Sequence, residues 1–102
     1  MGKNYRDTLK QELENPEFRK EYLATRAHTD LILAMLEARE RLHLTQNDIS
    51  ALTGISQADI SRIENGNANP SLKTIAKLAE AFGMCVRLQF VPIEEDLKEA
   101  LG

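Results

Sequence analysis

The chain contains no tryptophan and a single cysteine, Cys85. One thiol excludes an internal disulfide and fits a reducing compartment; here it reads as a small strand residue. No apolar run approaches the roughly 18 residues needed to cross a bilayer. The first ten residues are polar and mixed in charge, unlike a secretory signal, so the expected location is cytoplasmic. A basic excess is missing too, with 13 Lys and Arg against 16 Asp and Glu. The balance is +1 over residues 1–28, −2 over 29–83 and −2 over 84–102. No glycine-rich phosphate loop is present. His28 and His43 stand at no metal-ligand spacing with Cys85, and no serine has a His and an acid arranged around it. The expectation is therefore no enzyme, no cofactor and no metal.

What is present is a patterned stretch from Leu44 to Phe82. Thr45 followed by Asp48, and Ser56 followed by Asp59, have the spacing at which a hydroxyl accepts from the backbone N–H three residues on and the acid reaches back. Each starts a short amphipathic helix. Gly54 lies between them, where the chain must turn and where positive φ is often required. Ile49, Leu52, Ile55, Ile60 and Ile63 are expected to point inward. Two short helices joined through one glycine describe a helix-turn-helix. The second helix then leaves Gln57, Ala58, Ser61 and Arg62 outward. That set suits a DNA major groove: Arg pairs with guanine, Gln with adenine, and small residues permit close approach.

These residues carry a resemblance. Thr45-Gln46, Gly54, Ser56-Gln57, Ile60, Ile63-Glu64-Asn65-Gly66, Pro70-Ser71-Leu72 and Ala79, Phe82 and Gly83 together resemble the Xre-type helix-turn-helix domains of phage repressors such as Cro and CI. The resemblance implies a mainly all-α, five-helix, lambda repressor-like domain over residues 29–83 that binds double-stranded DNA. Gln57 and Arg62 would reach base edges, with Ala58 and Ser61 close to the groove floor. Thr45, Gln46, Ser56, Asn65 and Asn67 would hold phosphates; the Asn residues of the loop 65–70 are equally turn formers, and the two roles are compatible. It further implies that Arg39 pairs with Glu64. With no basic excess, phosphate binding must rest on helix N-termini, amides and a few cations.

Outside this stretch, Tyr5, Leu9 and Leu13 form one narrow apolar stripe on a helix ending near Glu14. Asn15 can cap a second helix with Pro16 at its first position, running to about Ala27 and presenting Phe18, Tyr22 and Leu23. This arm, residues 1–28, either packs on the domain or forms a second binding surface. Thr29 or Asp30 is expected to begin the next helix, with Ile32, Met35, Leu36 and Arg39 on one face. Ser71 caps another, with Leu72, Ile75, Ala76, Leu78, Ala79 and Phe82 inward. Met84–Val91 then alternates in period two, which predicts a strand ended by Pro92. A lone strand needs a partner, and the simplest is its copy in a homodimer, paired through Val86, Leu88 and Phe90. Residues 93–102 read as a short helix or a frayed acidic tail.

An arm containing Asn15-Pro16-Glu17-Phe18, an Xre domain and the run Val86–Pro92 together look like the HigA-type antitoxins. That resemblance implies a RelE-like ribonuclease toxin as partner and repression of the pair's own promoter at an inverted-repeat operator. Tyr5, Leu9, Leu13, Phe18, Tyr22 and Leu23 would then face the toxin. The alternatives are a stand-alone Xre regulator and an Xre-like adaptor that no longer binds DNA.

Overall fold

A computed structural model describes residues 4–102. Seven α-helices follow one another: α1 Tyr5–Leu13, α2 Pro16–Ala24, α3 Arg26–Leu42, α4 Gln46–Thr53, α5 Gln57–Glu64, α6 Leu72–Ala81 and α7 Ile93–Leu101. The chain divides into two compact units: Ala27–Arg87, and the chain up to Arg26 together with Leu88–Gly102.

In the central unit the starts of α4, α5 and α6 are written locally. Thr45 Oγ1 accepts from Asp48 N at 3.0 Å, and Asp48 Oδ2 accepts from Thr45 N at 2.8 Å, a complete reciprocal cap. Ser56 and Ser71 accept from Asp59 N and Thr74 N. Gly54 closes α4 at φ 77°, left-handed. Thr53 is buried beside it, and its hydroxyl donates to Ile49 O at 2.7 Å and accepts from Ile55 N at 3.2 Å. The turn between α4 and α5 is thus held by one side chain that satisfies both of its roles. The core joins Met35 and Ala38 of α3, Ile49 of α4, Ile60 and Ile63 of α5, and Leu78 and Phe82 at α6, with Leu31, Leu44, Ile55 and Ala68 packed around it. Each fully buried aliphatic side chain contributes roughly 1.5–3 kcal/mol.

Several expectations need correction. The helix expected from Thr29 begins at Arg26, with Thr25 alone separating it from α2. Leu52 and Leu72 are 60% and 63% exposed, and Leu36 and Ala76 are exposed as well. Their periodicity is sound, but the buried stripe runs through Met35 and Ala38, Ile49 and Thr53, and Leu78 and Phe82. The central unit holds four helices, α3 to α6, rather than five, because the chain after Gly83 leaves helical structure and the next helix belongs to the other unit. No strand occurs among the described residues, so Met84–Val91 is not one here. A strand exists through its ladder, and nothing else in the described chain is extended alongside it. Val86 is half-buried, while Leu88 and Phe90 are exposed.

The other unit contains α1, α2 and α7. Asn4 Oδ1 caps α1 through Asp7 N at 2.9 Å. Asn15 Oδ1 caps α2 through Glu17 N at 2.9 Å, with Pro16 at the first helical position. Residues 93–102 resolve as helix α7, which packs against α1. Arg26 forks onto Asp96, Nε to Oδ2 and Nη2 to Oδ1 both at 2.9 Å, and its guanidinium lies 5.3 Å from the Tyr22 ring centre. Tyr22 in turn stacks on Phe18 with ring centres 6.3 Å apart.

Candidate nucleic-acid interface

The face built by α4 and α5 begins with the two caps. Thr45 and Ser56 each accept from a backbone amide, of Asp48 and of Asp59. The first N–H groups of both helices point the same way as any helix start, toward an anion. Along α5, Gln57, Ala58 and Arg62 are exposed and Ser61 is half-buried, because Ile60 and Ile63 take the inward positions.

Behind this face lies a connected polar network. Arg39 Nη1 donates to Glu64 Oε1 at 2.6 Å, and Gln46 Nε2 donates to the same oxygen at 2.8 Å. Arg39 Nε also donates to Leu44 O at 3.1 Å. The Glu64 side chain is 5% exposed, and its Oε2 is buried with no hydrogen-bond partner. Gln57 Nε2 donates weakly to Gln46 Oε1 at 3.5 Å. Arg39, α4 and the end of α5 are therefore locked together, and the carboxylate of Glu64 is the hub.

The loop after α5 turns at Gly66, φ 77°. Asn67 N donates to Arg62 O at 2.8 Å and Gly66 N to Ile63 O at 3.1 Å. Asn65 and Asn67 are exposed, and Asn65 Nδ2 lies 3.4 Å from Ser61 Oγ as donor. His28 Nε2 meets Ala68 O at 2.9 Å and ties this loop to α3.

Of the nine residues expected at a DNA surface, Thr45 and Ser56 cap α4 and α5, and the other seven lie on those helices or in the loop that follows. The side-chain amides of Gln46, Gln57 and Asn65 are already engaged, that of Gln46 as an internal strut between Glu64 and Gln57. Two features were not foreseen. Asp59 forms an ion pair with Arg62 one turn along α5, which the i, i+3 spacing could have revealed. The amide of Gln46 reaches Glu64 across 18 residues, which no local pattern signals. Both acids of the face stay charged. Thr45, through its backbone amide and then its hydroxyl, holds the Asp48 carboxyl below the usual range. Arg62, followed by the Ser56 hydroxyl, does the same for Asp59.

Of the residues expected to meet a toxin, Leu9 and Leu13 are buried inside their own unit, so this part of the stripe is core rather than a partner surface. Tyr5 is exposed, and Phe18, Tyr22 and Leu23 are half-buried. Among the described residues, no helix is long and apolar enough to cross a membrane, and no three His, Cys, Asp or Glu residues gather as a metal site.

Comparison with known proteins matches residues 35–85 to the helix-turn-helix family. An uncharacterized HTH-type transcriptional regulator of Haemophilus influenzae is 31% identical over 93 residues, which is 91% of this chain and 89% of that one. The HTH-type transcriptional repressor RghR of Bacillus subtilis is 52% identical over 44 residues, 42% of this chain and 33% of the repressor. Among solved structures, a "Toxin-Antitoxin module from Streptococcus pneumoniae" is similar with a TM-score of 0.67 and 25% identity, covering 89% of this chain and 97% of that one.

Proposed function

The chain belongs to the helix-turn-helix family of DNA-binding transcriptional regulators, and from that premise we propose that it is an antitoxin that represses its own operon. In this reading Gln57 and Arg62 contact base edges, with Ala58 and Ser61 near the groove floor. Thr45, Ser56, Asn65 and Asn67 hold phosphates, and Gln46 does so only through its free edge while bracing Glu64. The partner is a RelE-like ribonuclease, met by the unit that carries Tyr5, Phe18, Tyr22 and Leu23. The regulator works as a homodimer joined through the apolar side chains near Leu88 and Phe90, on an inverted-repeat operator.

One observation carries the antitoxin reading. The likeness to the pneumococcal toxin-antitoxin module extends over 89% of the chain, so it includes the helices outside the helix-turn-helix, which DNA binding alone does not need. The Haemophilus relative, also similar over nearly the whole chain, is named only as a regulator; a stand-alone regulator is the competing reading. The test is co-expression with the product of the adjacent small open reading frame. Rescue of growth, co-purification of the two proteins and a mobility shift on the shared promoter are expected. A promoter shift with neither rescue nor co-purification would leave the stand-alone regulator.

A further inference from the structure

On the outer face of α5, Arg62 Nη2 donates to Asp59 Oδ1. Both side chains are exposed, 62% and 48%, and Ala58 beside them is too small to cover them. The arrangement has a cost for a DNA reader, because the acid brings negative charge to a surface that must approach phosphates. The acid sits in the first turn of α5, where its charge suits the positive helix end. The cap on Ser56 is made by the backbone amide of Asp59, not its carboxylate. An exposed ion pair of this kind adds little to folding stability. The carboxylate serves the helix start by its charge and by taking the Ser56 hydroxyl, and neither task calls for its bond to Arg62.

We infer that Asp59 is a specificity-determining residue that acts through Arg62. This rests on the proposed reading face and assigns a further role within it. An unrestrained arginine carries five N–H donors on a flexible stem and binds any phosphate it reaches. Asp59 takes one of those donors and keeps the guanidinium over the middle of α5. The remaining donors then face outward as a fork. A guanine offers O6 and N7 to that fork as a bidentate pair. A backbone phosphate in the same place would instead meet the Asp59 carboxylate at close range, and like charge would oppose it. The carboxylate can also accept from the N4 amino group of the paired or adjacent cytosine. The pair selects for a guanine and against non-specific backbone contact. Nearby charges do not cancel this effect: Glu64 is turned inward onto Arg39, and Asp48 is engaged with Thr45.

The test is binding-site selection from a randomised duplex pool, followed by titration of the selected duplex and of a scrambled one. Wild type, Asp59→Asn, Asp59→Ser, Asp59→Glu and Arg62→Ala are compared. Asp59→Asn and Asp59→Ser keep the backbone cap, and having both guards against instability of either one; thermal melts confirm folding. Both are expected to bind the scrambled duplex more tightly than wild type and to lose about tenfold in discrimination at one G·C pair. Asp59→Glu, which restores the charge, should recover most of it. Arg62→Ala should lose the preference at that same pair. If Arg62→Ala loses the preference while both neutral Asp59 variants retain the wild-type ratio, Asp59 has no such role and the reading face stands. If wild type itself selects no sequence, the reading face and this inference fall together.

Discussion

Removal of the Arg39 side chain probes the hub of the central unit. Glu64 is nearly fully buried, and its Oε1 takes both available donors, one from Arg39 and one from Gln46. Its Oε2 has none. Arg39→Ala therefore leaves a buried carboxylate with a single neutral amide for support. It also frees the Leu44 carbonyl that Arg39 Nε had satisfied. Breaking a buried pair by removing one partner costs about 3–5 kcal/mol. Arg39 is itself a quarter exposed, so water can partly replace it, and the lower end, about 3 kcal/mol, is expected. Glu64→Gln removes the charge instead and keeps an oxygen for both donors, so it should cost about 1 kcal/mol. In the double variant the stranded charge is gone, and the loss should fall below that of Arg39→Ala alone. The assay is urea unfolding followed by circular dichroism, with the shift in midpoint converted through an unchanged slope. A loss under about 1 kcal/mol for Arg39→Ala, or a double variant less stable than Arg39→Ala, would refute the claim that an uncompensated buried charge dominates.

Three other outcomes are expected. Gly54→Ala meets no atom within 4 Å but must hold φ 77°, so it should lower stability by about 1–2 kcal/mol in thermal melts, and Gly54→Asn by less. The folded Asp48 carboxyl is held below its ordinary value of 3.8; its contribution is therefore full above that value and is lost as pH falls through the lower folded value, so Asp48→Asn should show a shallower acid-side decline in melting temperature than wild type. A fragment spanning residues 27–87 should fold and bind promoter DNA while losing its hold on the toxin, read by mobility shift and pull-down; a fragment beginning at Thr29 also loses the His28 bond to Ala68 and should melt earlier.

Much of the helix-turn-helix was legible from residues three apart. Caps at Thr45, Ser56 and Ser71, the Asn15-Pro16 start and the stop at Gly54 are local events, decided by a hydroxyl or amide within reach of a nearby N–H and by a glycine's tolerance of positive φ. Ile49, Ile60, Ile63 and Leu78 were likewise readable as core, and the outward set on α5 follows from their spacing. The Arg39–Glu64 pair came through family resemblance, since no periodicity links residues 25 apart.

Periodicity names a face but not what covers it. Leu52, Leu72 and Leu36 fit the helical repeat as well as their buried neighbours do, and only the placement of adjoining helices left them in solvent. The alternation of Met84–Val91 states a preference for extended structure, but a ladder needs a second strand, which one chain does not supply. The fork of Arg26 on Asp96 joins positions 70 apart in the sequence. Where α1, α2, α4, α5 and α6 begin was set by local chemistry; that the two ends of the chain make one unit, and that Leu9 and Leu13 are its core, was decided by which apolar faces meet in the folded chain.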